Sequence, residues 1–396
     1  MTLLAGSLLA QNLTEMEKSR GVGDSPDVEL SRARDLRPDL NHGSVRAAMR
    51  KVADWQLERA RPYFNTDWTF AALYDGFMAA SDTLGDPKYE GAMLEMGTKL
   101  DWQLGKRPEH ADDVAVGQTY LELYPKHKNP EILTVLSERF AYQMKLPDDP
   151  KKPIWWWCDA LFMAPPTLAR LYKITGKEEY LDYMDREWWI TSKLLYDEEE
   201  HLYFRDASYL GKHEENGRKL FWSRGNGWVM GGIARVLDNM PANYPGRAKY
   251  VAQFREMAAA VIKVQGEDGL WRSGLLDQQA YSLPEVSGSA FLTYALAWGV
   301  NHNVLDRKTY EPVVKKAWAG LLTRVYADGR LGCIQPVGAA PGQFKATSDV
   351  ELRIWSGRLP ARRVAGRPPA LMEAEYLAHD RMGAARSHRW WARFPG

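Results

Sequence analysis

From Val45 onward, apolar residues recur three and four positions apart in one segment after another, and the strict alternation of a half-buried strand is almost absent. That period commits the chain to helices. The spacing predicts them over Val45–Arg59, Trp68–Ser81, Pro87–Leu104, Asp113–Tyr124, Glu131–Met144, Ala160–Ile174, Glu178–Leu195, Gly227–Leu237, Ala248–Val264, Val286–Val300 and Thr309–Val325. Leu84-Gly85-Asp86-Pro87, Thr175-Gly176-Lys177, Gly266-Glu267-Asp268-Gly269 and Ala327-Asp328-Gly329 punctuate them as helix stops and starts. The recurring unit is a helical hairpin. No two hairpins share a motif and their connections differ in length, which disfavours an open solenoid of repeats. A closed all-α ring of six hairpins needs one helix more than the segments above supply, and that helix is expected after Gly332.

Charge and cysteine use narrow the function classes. Lys+Arg 52 against Asp+Glu 51 leaves +1, so no global field draws the chain to nucleic acid or to a membrane surface. No apolar run reaches the roughly 18–20 residues that span a bilayer. Cys158 and Cys333 are too few for a disulfide framework and lack the paired spacing of a zinc site. The histidines, His42, His110, His127, His201, His213, His302, His379 and His388, include no two-His helical pair, so no metal or other cofactor is expected. The excess is aromatic: 16 Trp, 19 Tyr and 11 Phe suit a pocket for sugar rings as well as a Trp-rich core.

Four segments depart from the helical background. In His110-Ala111-Asp112-Asp113-Val114-Ala115-Val116-Gly117-Gln118, two acids stand at the mouth of a helix, where plain capping also accounts for them. Trp155-Trp156-Trp157-Cys158-Asp159-Ala160-Leu161-Phe162-Met163 embeds one acid among apolar and aromatic neighbours. Such a carboxyl must be paired, reach solvent as a cap, or hold its proton, and the last is what a general acid requires. Phe221-Trp222-Ser223-Arg224-Gly225-Asn226-Gly227-Trp228 brackets a guanidinium with indoles and glycines. Its glycines would let backbone approach a ligand, and its Arg presents a fork suited to a carboxylate. An Arg stacked on Trp at a helix start is the plainer alternative. The fourth, Leu202-Tyr203-Phe204-Arg205-Asp206, is a polar pair after an aromatic stretch.

Together, Asp-Asp-Val-x-x-Gly-Gln, Trp-Cys-Asp-Ala-Leu-Phe-Met and Trp-Ser-Arg-Gly-Asn-Gly-Trp resemble the unsaturated uronyl hydrolases of glycoside hydrolase family 105, relatives of family 88. The likeness continues through Glu285-Val286-Ser287-Gly288-Ser289-Ala290-Phe291 and Asp328-Gly329-Arg330-Leu331, and covers about Val45 to Ser348 in order. It implies an (α/α)6 toroid. It also implies a substrate that is an oligosaccharide ending in a 4,5-unsaturated uronic acid, removed by protonation at C4 and hydration at C5. By this resemblance Asp159 is the acid, and Asp112 falls on the second acid because it stands five residues before Gly117. Arg224 with Trp222 and Trp228 would hold the uronate, and Trp157 would add a stacking wall. Many members carry His where this chain has Arg205, a permanent cation suited to carboxylate or sulfate groups. A hydrolase or lyase of saturated uronic-acid glycans on the same toroid, and a non-catalytic helical repeat protein that binds glycans, are the rivals. Parent uronic acid, aglycon and oligomeric state are left open.

The expected organisation is an extension over 1–43, a catalytic domain over 44–350 and an atypical tail over 351–396. If Met1 to Ala10 is the remnant of a secretory signal, the protein is periplasmic or secreted; otherwise it is cytoplasmic. From Arg353 to Gly396 there are nine Arg, no Lys and three acids, unlike the chain before it. One codon choice for Arg353–Val364, read one base later, gives Gly-Ser-Gly-Ala-Gly-Ala-Phe-Leu-Leu-Ala-Gly, a glycine turn and apolar helix of the family type. The tail is therefore expected to be frame-shifted, with the toroid's last helix missing.

Overall fold

A computed structural model describes residues 32–335 other than 148, 150 and 282, together with 338 and 341. The expectations for Met1–Ala10, for the helix after Gly332 and for the tail over 351–396 lie outside the described residues. The helices are α1 (His42–Ala60), α2 (Trp68–Leu84), α3 (Pro87–Lys99), α4 (Gly117–His127), α5 (Pro130–Gln143), α6 (Ala160–Met163), α7 (Pro165–Thr175), α8 (Glu179–Leu195), α9 (Ser223–Asn239), α10 (Arg247–Ile262), α11 (Val286–Asn301) and α12 (Arg307–Leu322). A hairpin of two-residue strands, β1 (Tyr196–Asp197) and β2 (Leu202–Tyr203), interrupts them.

Burial separates two layers. In α10 the buried residues are Tyr250, Gln253, Phe254, Met257, Ala258 and Val261, a single stripe at helical spacing. In α11 every residue from Val286 to Val300 is buried, as an inner helix requires. The inner helices touch in the order α2, α4, α7, α9, α11, and each is backed by an outer one: α1 and α3 behind α2, α5 behind α4, α8 behind α7, α10 behind α9, α12 behind α11. This is the layering of an (α/α)6 toroid, of which the described residues supply five inner and six outer helices. No helix among the described residues is long and apolar enough to cross a membrane.

Four boundaries differ most from those expected, the first being the helix expected from Asp113, which starts at Gly117 after a 3-10 turn. The helix predicted over Pro87–Leu104 stops at Lys99, because Asp101 and Trp102 turn to φ 49° and 55° and Trp102 NH bonds back to Gly97 O at 2.9 Å. The segment Ala160–Ile174 is two helices meeting at Ala164-Pro165, where proline removes the amide that would continue the first. Helix α9 begins at Ser223 rather than Gly227, so Gly225 and Gly227 are helical. A Cβ on Gly227 would lie 2.7 Å from that of Phe291, and one on Gly288 2.7 Å from Arg224 N. Gly227 and Gly288 thus bring α9 and α11 into contact, whereas a Cβ on Gly225 would face Cys158 Sγ at 3.0 Å and Asp159 Oδ1 at 3.7 Å.

Candidate active site

The loops entering α4 and α6 deliver the two acids. Before α4, a short 3-10 turn over Ala111–Val114 separates their roles. Asp113 is buried and accepts from Arg107 N at 2.6 Å and Arg107 Nε at 2.9 Å, so it serves to hold the loop. Asp112 lacks such a clamp: Arg107 Nη2 stands 3.6 Å away and His110 Nδ1 3.5 Å. Neither acid caps the turn; His110 does, its Nδ1 accepting from Asp112 N at 3.3 Å. Burial and the neighbouring charge of Arg107 push His110 down to about 4, so it is a neutral ring near pH 7. Burial, reinforced by the charge of Asp159, pushes Asp112 up to about 7, with Arg107 opposing.

Asp159 occupies the N-cap position of α6 yet makes no capping hydrogen bond, which removes the plain helix-cap reading. Asp159 is half-buried, with protein atoms packed around most of its carboxyl. That crowding raises its pKa, and Arg205, the Cys158 thiol and Arg224 pull it back. The thiol donates to Asp159 Oδ1 at 3.2 Å. The charge of Asp159 thus discourages ionisation of Asp112, which couples the two acids as a carboxyl pair.

Arg205 follows β2, and its carbonyl accepts from Cys158 N at 2.8 Å, which ties the hairpin to the acid segment. Its guanidinium pairs with Asp206 and stands 5.3 Å over the ring of Trp156. Asn226 fixes this strand, accepting from Tyr203 N at 2.7 Å and donating to Tyr203 O at 3.1 Å. Trp157 is buried between His110, 4.4 Å away, and Trp156, 4.6 Å away. The ring that faces outward is Trp156, 44% exposed.

Arg224 is buried, 4.5 Å over Trp222, and its Nη1 donates to Gln335 O at 2.6 Å and to Ser287 Oγ at 3.3 Å. Trp222 Nε1 donates to Gln335 Oε1 at 2.7 Å. Glu285 caps α11 through Ser287 N and Gly288 N and also accepts from Gln335 N at 3.0 Å. Trp228 is 1% exposed, 4.2 Å from Phe291, 4.8 Å from Phe162 and 6.0 Å from Trp68. It forms part of an aromatic cluster in the toroid interior, with no free face. The coupled electrostatics link Asp159 with Arg205 and Arg224 on one side and with Asp112 on the other. Among the described residues no group of three or more His, Cys, Asp or Glu is placed to hold a metal ion.

Sequence reasoning passed over Arg107, His110, Trp156, Cys158, Asn226 and Gln335. His110, Trp156, Cys158 and Asn226 lie inside the singled-out motifs, where their identity is the available signal. Gln335 stands outside every motif, and only the fold brings it to Trp222 and Arg224.

Comparison with known proteins gives the same picture. The family described as Glycosyl Hydrolase Family 88 matches residues 42–352. An unsaturated 3S-rhamnoglycuronyl hydrolase of Formosa agariphila is 41% identical over 330 residues, covering 78% of this chain and 87% of that protein. A protein of the same description from an Alteromonas species is 31% identical over 366 residues, 83% of this chain and 88% of the relative. Among solved structures, a glycosyl hydrolase family 88 protein from Bacteroides vulgatus superposes with a TM-score of 0.75 at 28% identity, covering 85% of this chain and 99% of that one.

Proposed function

The chain belongs to glycosyl hydrolase family 88, and from that premise we propose that it removes a terminal 4,5-unsaturated uronic acid from oligosaccharides left by polysaccharide lyases. The observation that carries the reading is the carboxyl pair: Asp112 is pushed up to about 7 by burial and by Asp159, so the pair keeps a proton near neutrality. A retained proton is what an electron-rich alkene can accept.

In the reaction we assign, Asp159 delivers a proton to C4 of the C4=C5 vinyl ether, leaving oxocarbenium character on C5 and the ring oxygen. Water adds at C5 and returns its proton to the pair. The resulting hemiketal opens to a C5 ketone and C1 is released from the aglycon, so one water is consumed and no displacement at the anomeric carbon is needed. The cation of Arg205 and the buried Arg224, stacked on Trp222, are assigned to the substrate carboxylate, Trp157 to the pocket wall and Trp228 to its interior support. Asp112 keeps the pair from carrying two charges in the ground state.

Lyase-generated oligosaccharides supply the test. Turnover is expected to abolish the ultraviolet absorbance of the conjugated alkene, and in heavy water deuterium enters C4 of the released keto-uronate. Equal turnover of saturated equivalents, or release without deuterium at C4, would remove the hydration mechanism. A lyase acting on saturated chains would instead create that absorbance.

A further inference from the structure

His110 stands two residues before Asp112, and its backbone is fixed at both ends: its amide donates to Arg107 O at 3.3 Å and its carbonyl accepts from Asp113 N at 3.1 Å. The ring is held as well, 4.4 Å from that of Trp157, the residue two positions before Asp159. In this place the imidazole meets Asp112 twice. Its Nδ1 accepts from Asp112 N at 3.3 Å and stands 3.5 Å from Asp112 Oδ2.

The first contact decides the state of the ring. A nitrogen that takes an amide hydrogen carries none of its own, so the ring hydrogen is on Nε2 and Nδ1 presents its lone pair. Burial, then the charges of Arg107 and Arg205, keep a second proton off the ring, with Asp113 opposing. The second contact acts on Asp112. An anionic oxygen 3.5 Å from a lone pair is repelled, whereas a carboxyl O–H turned toward it is attracted. The charges around Asp112 divide. Asp159 at the start of α6, Asp113 on the same loop and Asp67 at the start of α2 favour the protonated form, while Arg107, 3.6 Å from Oδ2, favours the anion. Arg107 is itself bound by Asp113. His110 therefore joins burial on the side of the proton without adding a charge.

We propose that His110 is a positioning residue for the carboxyl pair: its unprotonated Nδ1 anchors the Asp112 backbone and holds the Asp112 carboxyl in its protonated form. The proposal rests on the reading of that pair as the proton source for an unsaturated uronate. Because His110 acts through Asp112, it sets the fraction of enzyme that carries the proton and has little effect on substrate binding.

Two substitutions separate the lone pair from the ring. His110→Phe keeps a flat ring against Trp157 and removes Nδ1, whereas His110→Asn gives up the ring and puts a carbonyl oxygen close to the place of Nδ1. With a lyase-generated oligosaccharide, the alkaline limb of kcat should move to lower pH by about half to one unit in the phenylalanine variant. KM should stay within about twofold of the parent. The asparagine variant should recover most of the parent's limb. In the full chain with nitrogen-15-labelled histidine, the resonance lost in His110→Asn should report an Nε2–H ring that gains no second proton down to about pH 5. An unmoved limb in His110→Phe, an equal loss of rate at every pH in both variants, or an imidazolium at about pH 6 to 7 overturns the proposal. If the full chain turns over no unsaturated oligosaccharide, the parent reading fails instead, and urea unfolding decides this one. Both variants lack the titration of the histidine itself, so the fall in stability from pH 4 to pH 8 should be smaller in His110→Phe than in His110→Asn, and an equal fall overturns the role of Nδ1.

Discussion

Gln118 donates its Nε2 hydrogen to the carbonyl of Phe162 at 2.8 Å, joining the helix that follows Asp112 to the short helix that follows Asp159. Phe162 needs this partner because the residue four positions on is Pro166, which has no amide hydrogen to give. The other end of Gln118 accepts from Arg235 Nε at 2.7 Å, and Arg235 in turn pairs with Asp75 at 3.0 Å and Glu122 at 3.1 Å. All of these side chains are buried. Gln118→Leu would leave a carbonyl and a guanidinium N–H without partners, so it should cost about 2–4 kcal/mol of stability in urea unfolding. A leucine variant within about 0.5 kcal/mol of the parent would show the strut to be dispensable.

The carboxyl pair predicts the direction of the pH dependence. Turnover should fall as pH rises through about 7, where Asp112 and with it the pair gives up its last proton. Asp159→Asn should abolish turnover by a factor of at least about 10³ while substrate still binds, because an amide has the shape of the acid and no proton to deliver. Rate against pH on the alkaline side, and calorimetric binding to the asparagine variant, check both. Near-normal turnover by Asp159→Asn would move the acid elsewhere.

Arg224 has two duties that one substitution can separate. Its Nη1 is committed to Gln335 O and Ser287 Oγ, and the guanidinium plane lies on Trp222. Lysine at 224 keeps the charge and gives up the fork and the stacking. KM should therefore rise about tenfold or more, and thermal stability should fall by about 1–3 kcal/mol because Gln335 loses a charged donor. A kinetic change with no loss of stability would mean that the contacts to residue 335 contribute little to folding.

The architecture was legible because helix period and helix punctuation are local properties. Every long helix was foreseen within a few residues, and Leu84-Gly85-Asp86-Pro87 is the turn its letters describe, with Gly85 left-handed at φ 60° and Asp86 capping Lys88 N. The candidate site was legible in part, since Asp112 and Asp159 occupy motifs dense enough to single out by resemblance. What escaped was every role set by contacts across the chain. Asp112 and Asp113 are adjacent letters, and only the fold turns Asp113 onto Arg107. Gly227 of the Arg224 segment looks like part of a ligand loop in one dimension, whereas Phe291 and Gly288, about sixty residues later, make it a helix crossing. Trp156 and Trp157 are likewise indistinguishable until one is buried and the other exposed.

Asp112 should also reveal what the site costs the fold. Its folded-state pKa of about 7 lies above the ordinary value near 3.8, so the folded protein holds this proton more tightly than the unfolded chain does. Below pH 4 both states are protonated and the residue contributes nothing. Between about pH 4 and 7 the unfolded chain ionises while the folded one does not, and stability declines as pH rises. Above 7 the full penalty is present, roughly 2–4 kcal/mol after allowing for the part of the carboxyl that stays open to water. Asp112→Asn removes the charge and keeps the shape, so it should be more stable than the parent at pH 8 and equal to it at pH 4, while losing most of its turnover. Urea unfolding at the two pH values measures the difference directly. A variant no more stable at pH 8 would mean that Asp112 is already at ease as an anion, which would also undo its role in keeping the pair protonated.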